Sequence, residues 1–324
     1  MTDTQIILAP LRGFTERPFR EAFSNHFSGI DEVLAPFIPL VSVGSVNPSR
    51  FSDILPQNEK IPIIPQVIGN SAQQIIQMAN ALFNVGFKEI NWNLGCPMHK
   101  ITKKQRGSGL LPYPDKIRSI LEEVIPAIPG TLSIKTRLGL KEKNEFLNVI
   151  DVFNDFPLAS LTIHPRTGAQ MYSGVTDPDF FASAYPKLSN NTLIYNGDIF
   201  TVSDYRNLQQ RFNTIKGWMI GRALIANPFL GEWIKSGQTT WDRERFLAFH
   251  NELYDSLGIS STQVKFHLNR IKGYWTLFLH VYSQKEFVKD RILHSKTPQD
   301  LFDIAQQIIL HEPLNPNGLS LFKS

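Results

Sequence analysis

The chain has 324 residues, 42% apolar and 19% charged, with 33 Lys and Arg against 29 Asp and Glu for a net charge of +4. Such a composition carries a substantial core and excludes a disordered polypeptide, while the aromatic-rich run Tyr274–Tyr282 falls well short of the ~20 apolar residues of a membrane-spanning helix. The single cysteine, Cys96, excludes an intrachain disulfide and a metal centre built from several thiolates, and it suits a reducing cytoplasm.

Met1–Pro10 lacks the basic start and long apolar run of a signal peptide and reads as a first strand. Short β-rich apolar runs then alternate with helical spacing, as βα units of a parallel sheet do. The expected strands are Ile6–Ala9, Val33–Phe37, Ile63–Ile68, Glu89–Asn93, Leu132–Arg137, Ser160–His164, Thr192–Asn196 and Gly217–Gly221. Eight such units close a (β/α)₈ TIM barrel. Among the helices, Ser71–Val85 is the clearest, with Ser71 as N-cap, Ile75, Ile76, Met78 and Leu82 as its apolar positions and Gly86 to end it. Asp115–Val124 and Ser203–Phe212 follow the same pattern, whereas Pro48 and Pro56 point to a loop over Val41–Lys60. After Leu230 no strand pattern remains. Helical runs over Arg243–Leu257, Thr262–Tyr282 and Pro298–Leu310 predict a smaller all-helical C-terminal domain, residues 239–324, behind a barrel of residues 1–238.

Active sites of such barrels lie at the C-terminal strand ends. There the sequence places Pro10-Leu11, Gln66, Asn93 to Pro97, Lys135 and Arg137, His164 to Arg166, Asn196-Gly197-Asp198 and Gly221-Arg222. The loops after strands seven and eight commonly hold phosphate; Gly197 and Gly221 permit close backbone approach, and Arg222 adds a permanent charge. Lys135, inside a strand, needs an anionic or electron-rich partner: a flavin ring, a barrel carboxylate, or a Schiff-base substrate. Gln66 and Asn196 are cofactor ligands or satisfied core amides. His164 is a ligand or a hydrogen-bonded structural residue. Cys96 stands between Gly95 and Pro97, in a turn that would expose its thiol, and a thiol of ordinary pKa ~8.5 can donate a proton at neutral pH.

Asn93-Leu94-Gly95-Cys96-Pro97 followed by Gly107-Ser108-Gly109-Leu110-Leu111 resembles the catalytic loop of the tRNA-dihydrouridine synthase family. Lys135 to Gly139, His164 to Thr167, Asn196 to Asp198 and Ile220 to Ala223 follow in that family's order. The resemblance implies that NADPH reduces a bound FMN, that hydride passes from the flavin to C6 of a uracil in tRNA, and that Cys96 protonates C5. It further implies that Pro10, Leu11, Gln66, Lys135, His164, Asn196, Gly197, Asp198, Gly221 and Arg222 surround FMN, and that Asn93 and Arg137 hold the uridine. No metal and no membrane partner is expected, and a monomer is.

The helical domain then has folded RNA to grip. Lys265, His267, Arg270 and Lys272 are expected to form one phosphate-contacting face, and the basic loop Met98–Arg106, with Lys100, Lys103, Lys104 and Arg106, is expected to close over tRNA. The Arg270-Ile271-Lys272 stretch resembles the bacterial C subgroup, which acts at position 16 of the D-loop. Leu11 stands where the family usually has methionine, Pro165 and Asn91 replace a common glycine and aspartate, and Ala35-Pro36 replaces a frequent Thr-Glu that bears on target position. The rival readings are a small-molecule FMN oxidoreductase of the dihydroorotate dehydrogenase type, a tRNA-binding module without catalysis, and an aldolase using Lys135.

Overall fold

The computed structural model describes residues 4–40, 42, 44, 47–55, 60–188, 192–258 and 264–315. Its strands are β1 (Gln5–Leu8), β2 (Glu32–Leu34), β3 (Ile38–Pro39), β4 (Ile63–Ile64), β5 (Gln66–Ile68), β6 (Glu89–Leu94), β7 (Thr131–Arg137), β8 (Leu161–His164), β9 (Leu193–Tyr195) and β10 (Gly217–Ile220). Every pairing is parallel, and most strand residues are buried, as expected of a sheet covered on both faces.

Two prolines explain why ten strands form eight staves. Pro65 interrupts one extended run, so that β4 pairs with β2 (Val33↔Ile63) while β5 pairs with β6 (Gln66↔Asn91). Pro36 has no N–H to give a ladder and splits the run expected as Val33–Phe37; Ala35 still donates to the Ile64 carbonyl at 3.0 Å, and pairing resumes as Ile38↔Val67. β1 pairs with β10 on one side (Leu8↔Ile220) and β2 on the other (Leu8↔Val33), closing the circle. Ile7, Ala9, Leu34, Ile194 and Met219 pack together as a small apolar cluster of their own, apart from the main core between sheet and helices.

The helices are α1 (Arg17–His26), α2 (Ala72–Asn84), α3 (His99–Thr102), α4 (Pro114–Ala127), α5 (Glu145–Asn154), α6 (Pro178–Ala184), α7 (Val202–Arg211), α8 (Arg222–Ala226), α9 (Leu230–Ser236), α10 (Arg243–Ser256), α11 (Val264–Phe278), α12 (Lys285–His294) and α13 (Pro298–His311). Ser71 caps α2 through the Gln74 amide, and Thr201 and Asp204 cap α7 reciprocally. The start of the run expected at Thr262, and parts of Val41–Lys60, lie outside the described residues.

The helical segment sits on α1 through an aromatic seam from α10 and α11. Phe249 meets Phe19 and Phe27 edge-on at 5.8 and 5.2 Å, Tyr274 stacks on Phe19 at 5.9 Å, and the Tyr274 hydroxyl donates to the Phe14 carbonyl. That seam ties the helical segment to the β1 loop, which borders the site. No helix among the described residues is long and apolar enough to cross a membrane.

Candidate active site

A cavity of about 380 Å³ opens where the strands end. The ten residues expected around a cofactor line it, together with Cys96, Asn93 and Arg137. Lys100, Lys103, Lys104, Arg106, Arg270 and Lys272 do not.

The loop after β6 is shaped by Asn93, whose Oδ1 accepts from the amides of Gly95 (3.0 Å) and Cys96 (2.8 Å). Its Nδ2 donates to Gln66 Oε1 at 2.8 Å, Gln66 donates to Asn91 Oδ1 at 2.8 Å, and Asn91 donates to Ser133 Oγ at 2.9 Å. This buried amide chain crosses β5, β6 and β7 and fixes the floor of the cavity. Behind the cysteine, Ser108 donates to the Cys96 carbonyl through both its amide and its hydroxyl, each at 3.1 Å. Gly107 backs the same group at φ +58°, and a Cβ there would meet the Cys96 carbonyl at 2.7 Å. Cys96 is thus held from two sides with 8% of its surface exposed. Burial pushes its thiol pKa up, against the opposing pull of the Met98 amide, Arg137, Lys135 and Arg12, so it remains a thiol at neutral pH.

The charged part of the lining is mostly cationic. Arg12, Lys135, Arg137, Arg166 and Arg222 line the cavity, against Asp198 as its only carboxylate among the described residues. Burial, then the neighbouring Arg137, pushes Lys135 down to about 7, and no described carboxylate pairs with it. Burial also holds Arg137 down at about 10. His164 lies well below the usual histidine range because it is buried beside Arg137, Lys135, Arg166 and Arg222. Its Nε2 lies 3.2 Å from an Arg166 N–H donor, which assigns the proton of the neutral ring to Nδ1.

Asp198 adopts φ +40° and accepts from Arg166 Nη2 at 2.7 and 3.0 Å and from the Thr176 amide at 2.8 Å, with Arg222 at 3.8 Å. Its carboxylate therefore organises the two arginines. At Gly197 a Cβ would meet Thr176 Cγ2 at 2.6 Å, and at Gly221 it would meet Leu11 Cδ1 at 3.3 Å. Asn196 Nδ2 donates to the Met219 carbonyl at 2.7 Å, leaving its side-chain oxygen as an acceptor.

Tyr172 carries no signal in the sequence. Its ring lies 5.6 Å from the Arg137 guanidinium and 5.1 Å from that of Arg222, bridging the two sides of the mouth. Arg137 reaches it by donating to the Thr167 and Met171 carbonyls, both at 2.8 Å, and Met171 carries the φ of +50° that turns the loop. No local pattern marks this contact, because all its partners come from other strand ends.

The basic loop is ordered: its middle forms α3, and Asn70 donates to the Lys104 carbonyl at 3.0 Å while accepting from Arg106 Nε at 3.4 Å. Lys100, Lys103 and Lys104 are exposed. The face expected on α11 does not form. Arg270 is ion-paired with Glu16 at 2.6 Å, Lys272 donates to the Leu293 and Ser295 carbonyls at the end of α12, and His267 is buried against the Gly258 carbonyl. At 100° per residue Lys265 and Lys272 share one side of the helix and His267 and Arg270 the opposite one, which overrides their closeness in sequence.

The profile of the dihydrouridine synthase (Dus) family matches residues 7–302. The chain is 30% identical over 237 residues to tRNA-dihydrouridine synthase B of Vibrio cholerae, covering 71% of this chain and 70% of that protein. It is 30% identical over 227 residues to tRNA-dihydrouridine synthase B of Escherichia coli, covering 70% of each. These relatives bear the B designation, and with Arg270 and Lys272 bound inside the molecule the C-subgroup expectation is set aside. Among solved structures, TcOYE in complex with pHBA superposes with a TM-score of 0.52 at 14% identity over 74% of this chain and 90% of that one. A morphinone reductase variant in complex with tetrahydroNAD gives 0.51 at 11% over 75% and 90%, a likeness of fold. With the family's profile running from β1 to α13 and its motifs converging on one cavity, the chain belongs to the dihydrouridine synthase family.

Proposed function

We propose that this protein is an FMN-dependent tRNA-dihydrouridine synthase that reduces one tRNA uridine to 5,6-dihydrouridine with NADPH as reductant. One observation carries the reading: the neutral thiol of Cys96 lines the same cavity as five cations that have a single carboxylate among them. A phosphorylated flavin fits that lining. Arg222 and the close-packed Gly197 and Gly221 would hold the phosphate, and Lys135, with no described anionic partner, would face an electron-rich ring. Arg166 Nε, buried without a hydrogen-bond partner among the described residues, marks the same side as short of an acceptor. Pro10 and Leu11 offer an apolar wall.

When bound, FMN supplies the hydride that C6 of the uracil receives. Cys96 donates its proton to C5, so that the two additions saturate one C=C bond. The resulting thiolate sits in the field of Arg137 and Lys135 until solvent reprotonates it. Asn93 acts through the loop it shapes. A stacked uracil has to leave its helix to enter. Residues 239–324 would then grip the tRNA, with the exposed Lys100, Lys103 and Lys104 on its phosphates.

The test is NADPH oxidation by the purified protein, whose spectrum should show bound flavin, with tRNA lacking dihydrouridine against free uridine and orotate. Turnover that requires tRNA supports the proposal. A colourless protein, or equal turnover with the small molecules, overturns it.

A further inference from the structure

A second concave site lies outside the barrel. Between α11 and α12 runs a groove of about 270 Å³ with Trp275, Leu279 and Ile292 on its floor and Lys272, Lys285 and Lys289 among its lining. Glu286, ion-paired with Lys289 at 3.2 Å, is the one carboxylate lining it among the described residues, so three ammonium groups face one negative charge. The floor is rigid: Trp275 is buried and donates to His250 Nε2 at 3.2 Å. The Lys272 ammonium is taken by its two carbonyl contacts at the end of α12, which leaves Lys285 and Lys289 to meet phosphate.

The groove is small for a site enclosing a whole drug-sized ligand, ~300–1,000 Å³, and suits one base with its sugar. An apolar slot beside lysines is how proteins take up unpaired nucleotides, here with a base against Leu293, the exposed apolar side chain of the lining, and phosphates on the cations. Phe287, exposed on α12 with the Arg291 guanidinium 5.6 Å from its ring, extends an aromatic and basic surface from the same helix. The location is also right. Leu277 lines the catalytic cavity, while Trp275, Thr276 and Leu279 of the same stretch line the groove. His280, which lines it too, is held down at about 4 by burial and then by Lys285 and Arg222, so the fields of groove and cavity overlap at a neutral ring.

We propose that this groove binds one unpaired nucleotide of the tRNA while another occupies the catalytic cavity. This rests on the tRNA reading above, and charge complementarity with the lysines commits it to RNA, the polyanion whose other nucleotide the adjoining cavity takes. Two variants of the full flavin-loaded protein test it. Lys285→Glu with Lys289→Glu reverses two lining charges, one half-buried and one exposed, and Thr276→Trp, at an exposed lining position, fills the slot without changing charge.

The readout is the Kd for an unmodified tRNA transcript at two salt concentrations, with the KM and kcat of dihydrouridine formation. Each variant should raise Kd and KM about tenfold, as expected when a seated base or a pair of neutralised phosphates is given up, while kcat, flavin content and tRNA-free NADPH oxidation stay as in wild type. The charge reversal alone should also flatten the salt dependence. Binding unchanged in both variants overturns the inference. So does weakening by the charge reversal but not by Thr276→Trp, which leaves phosphates on a surface and no base in the slot. A raised KM for NADPH in either variant would assign the groove to the dinucleotide instead. If the wild type makes no dihydrouridine at all, it is the proposed function that fails.

Discussion

The side-chain oxygen of Asn93 lies 2.8 Å from the amide nitrogen of Cys96 and sets the direction in which the thiol leaves the loop. Asn93→Ala removes this acceptor along with the donor to Gln66, leaving buried amides unsatisfied at a cost of ~1–3 kcal/mol. A drop in thermal stability should accompany a kcat loss larger than any rise in KM, with flavin content retained. Steady-state kinetics beside a flavin absorbance ratio checks this.

Lys135 gives the flavin-free protein a pH signature. Its folded pKa of about 7 lies below its unfolded value of 10.5, so between those values the unfolded chain binds more protons and stability rises with pH. Below about pH 7 both states are protonated and the full penalty of the buried ammonium applies. Lys135→Met should therefore stabilise the flavin-free protein at neutral pH and flatten its rise in melting temperature between pH 7 and 10, while weakening FMN binding. Melting curves across that window, with and without FMN, measure both.

Gly107→Ala should disable the site at a distance from any ligand. The position holds φ +58°, and the added methyl group would meet the Cys96 carbonyl at 2.7 Å. A loss of ~1–3 kcal/mol in stability and a fall in kcat at unchanged FMN affinity are expected. A variant as stable and active as wild type would show that the loop adapts freely.

Replacing Lys100, Lys103, Lys104 and Arg106 together by alanine should weaken tRNA binding and lower the slope of log K against log salt by ~0.7–0.9 for each phosphate that is no longer neutralised. Free-uridine background and flavin content should not move. Filter binding at several salt concentrations reads the slope, and unchanged affinity refutes a role for the loop in tRNA binding.

The strand ends were legible because parallel barrel strands read as short apolar runs, and because the residues just past them carry chemistry that no core needs. Ser71 and Gly86 bounded α2 for reasons local to the chain. What the sequence concealed depends on distant partners. Pro65 divides one strand between two neighbours, which only the closed sheet reveals. Arg270 reads as a free cation in the sequence, but folding brings Glu16 to it from 254 positions away. Asp198 reads as a cofactor residue, and only the fold shows that Arg166 and Thr176 hold its carboxylate. α12 has no clear sequence signature because Phe287 and Leu293 are exposed while Val288 and Ile292 are buried, which leaves no single apolar stripe.

The central claim is that the Cys96 thiol protonates a uracil of tRNA, and the most direct measurement maps dihydrouridine in total tRNA from cells with the gene, without it, and with Cys96→Ala in its place. Loss of dihydrouridine at the same D-loop position in the second and third cells, with the alanine protein present and still carrying flavin, is the predicted result. Full dihydrouridine in the Cys96→Ala cells would contradict it.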